Sequence, residues 1–335
     1  MTIRHNDPPG GLNRRGALGA GAALLMGAAG VRPALAQAWP QKPIRLIIPF
    51  PAGGPTDIVG RLIGLHMSEA FGQPVLIENR GGASGTIGAD VVAKAAPDGY
   101  TMMVNVSVHV INPSLYAKLP HDPIRDFTPI TSLAYTPTQL LVSADSNIRT
   151  AQELAALVKS QPGKHSFASS SVGAPGHLAG ELFKRAAGID ATHAPYKGSA
   201  PALTDLVGGQ VTYMFDSMPS SIGLVKAGKL RALAVTSPAR SASLPNVPTM
   251  AEAGYPQVTI TSWYGLWGPA NMQPAMVQKI YAEVARELAL PQVRTRLADV
   301  SAEGMGDTPE RFAAFCLTEA DRYAQLVKAA NIRLE

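Results

Sequence analysis

The stretch IRLIIPFPAGGPTDIVGRLI, Ile44 to Ile63, reads as a buried strand, a glycine turn and the start of a helix. Ile44 to Pro49 forms a short apolar run, Gly53-Gly54 breaks it, and Ile58, Leu62 and Leu65 then recur at helical spacing. A helix entered through glycines presents unpaired backbone N–H groups, and the macrodipole adds positive potential at the same end. Such a turn is a ready site for an anion.

Upstream of this stretch stand Arg14-Arg15, an apolar run from Ala17 to Val31, and Ala34-Leu35-Ala36. That order of charge, apolar run and small residues is the pattern of an export signal, so residues 1–36 are read as a signal peptide cut near Ala36, with the Sec or twin-arginine route left open. The run is shorter than the roughly 20 residues a spanning helix needs, and no later segment is continuously apolar over that length. Removing residues 1–36 takes away Arg4, Arg14, Arg15, Arg32 and Asp7, which lowers the formal charge from +5 to +2. So small a charge gives no case for nucleic acid or an anionic membrane as partner. The lone cysteine, Cys316, forms no internal disulfide and reads as a buried thiol.

Downstream, short apolar strands alternate with helical segments, which predicts an α/β protein with mostly parallel sheets. The order of elements repeats. Strand, glycine turn, helix, strand, helix, strand runs from Ile44 to Asn105 and again from His165 to Asp216, with Gly173-Ala174-Pro175-Gly176 in the place of the first turn. Asp57 and His177 each stand four residues beyond the matching glycines, Gly53 and Gly173. Two units side by side place a cleft between turns at the carboxyl ends of their first strands. Leu140-Leu141-Val142 and Val258 to Trp267 read as extended crossings between domains. Met276, Val277, Ile280, Val284 and Leu288, then Phe312, Cys316, Tyr323 and Leu326, predict C-terminal helices that return to the first domain.

A carboxylate buried without compensation costs several kcal/mol, and a hydrogen bond to a charged group returns about 1.5 to 3, so three or four donors are needed. Ala52, Gly53, Gly54 and Thr56 supply one set, with Thr56 also read as a helix N-cap; Ser84, Gly85 and Thr86 supply a second; Ser169, Ser170, Ser171 and Gly173 face them. Asp57 either stabilises the positive helix end from outside or meets a donor on the ligand. His177 and Lys197 either pair with the far end of a diacid or serve as a helix-start residue and a solvated cation. Trp263, Tyr264 and Trp267 read as core or as cleft lining. No nucleophile elbow, HExxH or P-loop is present, and GAGAAL at Gly19 falls within the export signal. No catalytic group, metal site or cofactor is expected.

PFPAGGPTD at Pro49 to Asp57, ENR at Glu78 to Arg80 followed by GGASGTIGA, PDGYT at Pro97 to Thr101, NPSLYAKLPHDPIRDFTPI at Asn112 to Ile130, PYKGSAPALTDLVGGQV at Pro195 to Val211, LPNVPTMAEAG at Leu244 to Gly254 and WYGLWGPA at Trp263 to Ala270 occur in one order. In these blocks the chain resembles the extracytoplasmic solute receptors of tripartite tricarboxylate transporters, the Bug family. The resemblance implies a type II periplasmic binding protein fold, with residues 37–138 plus 262–335 as one domain and 139–261 as the other. It also implies a monomer in the periplasm that holds a small organic carboxylate through main-chain amides of loops after strands and delivers it to membrane permease subunits. ASSSVGAPGHL departs from the family's usual loop at Val172 and Pro175, which leaves the distal contacts and the ligand's identity open. A periplasmic sensor and an exported enzyme are the alternatives.

Overall fold

The computed structural model describes residues 1–3 and 39–329. The export-signal reading falls almost wholly on residues outside that range. The described residues from Lys42 onward form one compact unit, and among the described residues no helix is long and apolar enough to cross a membrane.

Strand β1 (Ile44–Ile48) lies between β2 (Val75–Asn79) and β3 (Thr101–Val106), all parallel. Neighbours on both edges and helices on its faces explain why β1 reads as a continuous apolar run. Helix α1 (Pro55–Phe71) follows β1 and α2 (Thr86–Ala93) follows β2. A short helix, α3 (Val108–Ile111), leads to the 17-residue strand β4 (Phe127–Ser143) and then to α4 (Ala151–Ser160). The second unit repeats the first: β5 (Ser166–Ser169) lies between β6 (Thr192–Pro195) and β7 (Tyr213–Ser217), with α5 (Pro175–Ala187) after β5 and α6 (Ser199–Val207) after β6. Helix α7 (Met218–Lys226) and β8 (Leu230–Val235) follow.

The halves share one sheet, ordered β2-β1-β3-β9-β4-β7-β5-β6, with β9 spanning Thr261–Pro269. Strand β4 joins them: up to Pro137 it pairs with β9, and from Thr138 with β7 and β8. The return falls beside Ile260, whose amide still bonds Thr236 of the second half, before β9 opens at Thr261. In each half the strand order reverses at the first strand, where open α/β sheets form a crevice at their carboxyl ends.

Two of the apolar clusters that fill the halves share a helix. Ile47, Met103, Phe127, Trp263, Trp267 and Phe312 belong to one, and Leu140, Phe167, Phe183, Tyr213 and Phe215 to the other. Helix α8 (Pro274–Ala289), with Val277, Ile280, Val284 and Leu288 buried, and α9 (Pro291–Asp299) precede the short strand β10 (Glu303–Gly304). Helix α10 (Pro309–Ala329) serves both clusters. Its Phe312 and Cys316 enter the first, and Tyr323 and Val327 enter the second.

Candidate functional site

The two turns that the repeat aligns share one construction. In each, a glycine at positive φ (Gly53 at 79°, Gly173 at 76°) precedes an extended N-cap residue (Gly54, Ala174) and a proline at the first helical position (Pro55, Pro175). Proline costs nothing there, because that N–H has no intrahelical partner in any case. Thr56 therefore sits inside the first turn and is not the N-cap; Gly54 is. The side chain two residues after each proline reaches back to the glycine amide: Gly53 N–H donates to Asp57 Oδ2 at 2.9 Å, and Gly173 N–H donates to His177 Nδ1 at 3.1 Å. These two amides are thus taken up inside their own turns, and Asp57 and His177 lock the turns.

The locks differ in charge. Asp57 also accepts from Arg61 Nε at 2.9 Å and from Asn79 Nδ2 at 2.8 Å. Burial opposes its ionisation, but hydrogen bonds from Arg61, Asn79 and the Gly53 amide outweigh it, and the carboxyl stays below its ordinary range. Asn79, the centre of the ENR block, also donates to Phe50 O, so that block fixes the turn. His177 is held neutral. Burial, with the nearby positive charge that His193 and Lys184 contribute, lowers its pKa to about 3. It stacks on His193 at 4.0 Å between ring centroids, and His193 stacks on Phe167 at 4.7 Å.

Four helix N-termini meet at one small cavity. Its volume is about 30 Å³, and its lining includes Gly54, Pro55 and Thr56 of α1, Ala174 and Pro175 of α5, Gly198 and Ser199 of α6, and Ser217 of α7. Phe50, Pro51, Val106 and Ser170 complete the wall. None of the four N-cap residues makes a side-chain cap; by contrast, Thr150 caps α4 by accepting from the Glu153 amide. Positive potential from four helix ends therefore falls on one spot walled by uncharged side chains. The two halves touch around it, since a Cβ on Gly198 would stand 3.3 Å from Pro51 Cγ.

Of the fourteen residues expected at the site, the structure brings Gly54, Thr56 and Ser170 to this cavity. Gly53 lines an adjoining groove of about 410 Å³ with Leu203, Leu224 and Lys229, and Ala52 is exposed. Ser84 latches the halves together: its hydroxyl donates to Val172 O at 2.7 Å and accepts from Tyr116 at 3.0 Å. Asn112 fixes Gly85 and its neighbours by donating to Ser84 O and Thr86 Oγ1. Ser169 Oγ is engaged with Ser171 O and His193, and Ser171 Oγ is buried with no hydrogen-bond partner among the described residues. Lys197 is exposed beside Gly198. The reading missed Ser199 and Ser217, although Gly198-Ser199-Ala200-Pro201 and Ser217-Met218-Pro219 both follow strands and both carry helix-start chemistry.

A larger cavity, about 630 Å³, lies elsewhere, between Tyr135 and Pro137 of β4, the 237–243 segment and Arg294 to Gly304. No helix N-cap residue among the described residues lines it, and of its two arginines Arg240 is paired with Glu252 at 2.8 Å. The small cavity has the chemistry for an anion. Trp263, Tyr264 and Trp267 are core, at most 2 % exposed. Cys316 is buried, and burial beside Glu319 pushes its thiol up to about 12, so it is inert. His66, Glu69 and Glu287 come within 4.8 Å of one another, but His66 already bonds Glu69, and Arg286 pairs with Glu287 at 3.0 Å.

Residues 59–332 match the model of the tripartite tricarboxylate transporter family receptor. The chain belongs to that family. Protein BugT of Bordetella pertussis is 33 % identical to this family member over 93 % of the chain and 97 % of the relative. The periplasmic binding protein BugD superposes with a TM-score of 0.85 at 35 % identity, covering 88 % of this chain and all of that one. Two Rhodopseudomonas palustris structures are similar to this receptor as well. One was solved with adipate (TM-score 0.86, 36 % identity, 88 % of this chain and 100 % of that one), the other with bound malate (0.82, 35 %, 86 % and 100 %). The fold is accordingly the type II periplasmic binding protein-like fold of two α/β domains. The protein is a periplasmic solute-binding receptor.

Proposed function

We propose that this receptor binds a small organic carboxylate with its negative end in the cavity where α1, α5, α6 and α7 begin, and delivers it unchanged to the membrane permease of a tripartite transporter. The convergence of four helix N-termini without side-chain caps on one cavity carries the reading. First-turn N–H groups and the hydroxyls of Thr56 and Ser170 supply the three or four donors that a buried carboxylate needs. Relatives of the same fold that hold adipate and malate support the ligand class.

A cavity of about 30 Å³ takes the end of an acid and not a whole one. Admission therefore requires residues 37–138 plus 262–335 to part from residues 139–261, with the hinge where β4 and the segment before β9 change sides. Small-angle scattering is expected to show a smaller radius with ligand; an unchanged radius removes the hinge from this account. Thermal shift with adipate, malate and related acids tests the site. At 100 times its dissociation constant a ligand adds about 2.7 kcal/mol of stability, and Ser170→Phe, which fills the cavity, is expected to abolish that gain. Binding that survives Ser170→Phe would place the ligand elsewhere. Recovery of the acid unchanged after incubation separates receptor from enzyme.

A further inference from the structure

Directly behind the cavity lies a carboxylate without a cation. Asp216 is the penultimate residue of β7, 2 % exposed, and it makes no ion pair among the described residues. Its Oδ1 accepts from Ser199 Oγ at 2.7 Å, and its Oδ2 accepts from Ser220 Oγ. Ser199 and Ser217, on either side of it, both line the cavity. Asp216 thus draws on the same first turns of α6 and α7 that hold the ligand in the function proposed above.

The groups that face Asp216 are uncharged: Ser199 from α6, Ser220 and Ser221 from α7, Gln139 directly across the ladder on β4, and the Tyr264 phenol from β9. Burial together with Asp216 itself keeps that phenol protonated. The Ser217 carbonyl beside Asp216 accepts from Ser221 Oγ at 3.3 Å. Ser220 Oγ lies within hydrogen-bonding distance of both Asp216 Oδ2 and Ser217 O, yet it has a single hydrogen to give. Gln139 donates its amide to Ser221 and leaves its own Oε1 buried with no donor among the described residues. With Asp216 ionised, Ser220 donates to Oδ2 and Ser221 to Ser217 O; with a proton on Oδ2, Asp216 donates to Ser220 and Ser220 to Ser217 O, so the network accommodates both states of the carboxyl.

We propose that Asp216 is a proton-binding site coupled to the ligand, so that the receptor takes up the acid anion together with a proton. The inference rests on the anion reading of the cavity. Two carboxylates that share one set of helix ends in a buried site disfavour each other's ionisation, and protonation of Asp216 removes the conflict. The free protein is poised for this: burial raises the Asp216 carboxyl, the hydroxyls of Ser220, Ser199 and Ser221 pull it back, and its pKa stands at about 6. By linkage, the anion pulls the proton on and the proton strengthens the anion's hold.

Titration calorimetry of the receptor with malate and with adipate at pH 7, in phosphate and in Tris, reads the coupling, since both acids are already ionised there and supply no proton. The observed enthalpy is expected to depend on the buffer, with a net uptake of roughly half to one proton, and Kd is expected to rise by up to tenfold per pH unit above neutrality. Asp216→Asn is expected to remove both effects and to bind at least as tightly as wild type at pH 8. Should that variant fail to fold, Ser199→Ala serves instead: with one hydroxyl less on the carboxylate, the midpoint of the pH dependence moves upward. Wild-type binding with the same enthalpy in both buffers and a flat Kd from pH 6 to 8.5 overturns the coupling and leaves the carboxylate reading standing. Uptake that persists in Asp216→Asn moves the proton to another group, with His177 the first to test. If neither acid binds, both the reading and the coupling fall.

Discussion

The turn at Gly53 and the turn at Gly173 solve one backbone problem with opposite side chains. Both tie off a glycine amide ahead of a proline-started helix, the first with an ionised aspartate and the second with a neutral histidine. The surroundings explain the difference. Asp57 is buried, but Arg61 and Asn79 stand within hydrogen-bonding distance and pair its charge. His177 lies under the sheet, stacked on His193 among buried aromatics, where a charge would go unpaired. Geometry was kept and charge was fitted to the partners at hand, which leaves the cavity between the turns free of side-chain charge and dependent on helix ends.

Four measurements break or sharpen this contrast. The largest effect is expected at the second helical position, which is Thr56 in the first turn and Gly176 in the second. A Cβ at Gly176 would run into the Phe215 carbonyl oxygen, so Gly176→Val is expected to cost about 3 kcal/mol or more in urea unfolding. Thr56→Ser should lose only about 1 kcal/mol, the worth of a methyl group. A Gly176→Val cost as small as that of Thr56→Ser would mean that the second helix start is not packed against the Phe215 carbonyl.

Acid should act on the two locks in different ranges. The His177 pKa of about 3 in the folded chain lies below its ordinary 6.5, so the unfolded chain binds more protons between those values, and stability falls as pH drops below 6.5. The loss is about 1.4 kcal/mol per pH unit, or roughly 3 kcal/mol by pH 4. His177→Asn is expected to flatten that slope. Asp57, held below its ordinary 3.8, contributes stability that is complete above that value and is lost only at lower pH. A slope unchanged in His177→Asn assigns the acid sensitivity to other groups, such as His193 or His109.

Asp57→Ala strands the Gly53 amide and takes one of two acceptors from Asn79 Nδ2, and is expected to cost about 2 kcal/mol and to weaken ligand binding as the turn loosens. Stability unchanged by this substitution would show that Arg61 and Asn79 close the turn by themselves. The smallest effect is expected for Gly53→Ala. A Cβ there meets nothing within 4 Å, so the cost is the positive φ alone, about 1 kcal/mol. Larger side chains at Gly53, Val included, extend into the open groove and cannot shield an amide already given to Asp57, so affinity should change little. At Gly173, by contrast, a Cβ would run into Leu115, and Gly173→Ala should cost more than Gly53→Ala.

Much of this was legible in the chain. The apolar run before Gly53, its counterpart before Gly173 and the helical spacing after each gave the βαβαβ repeat, because strand and helix periods and glycine turns are local properties. The four-residue offset to Asp57 and His177 was visible as well, although its meaning was not. An offset names two residues; it does not say whether the second faces the ligand or folds back on the first.

Sequence alone determined that an α/β chain with two aligned glycine turns would present helix starts at the ends of parallel strands, and it left open whether Asp57, His177 and Lys197 would face a ligand there. Tertiary structure decided which helix starts meet. Those of α6 and α7 reach the cavity from Ser199 and Ser217, far along the chain from Gly54, and they bring Asp216 behind them. It also decided which amides remain to be used, since Asp57 and His177 consume two of those that the sequence offered. The reason is physical: a backbone donor's availability depends on every acceptor within about 3 Å of it, and proximity of that kind exists only after the chain has folded.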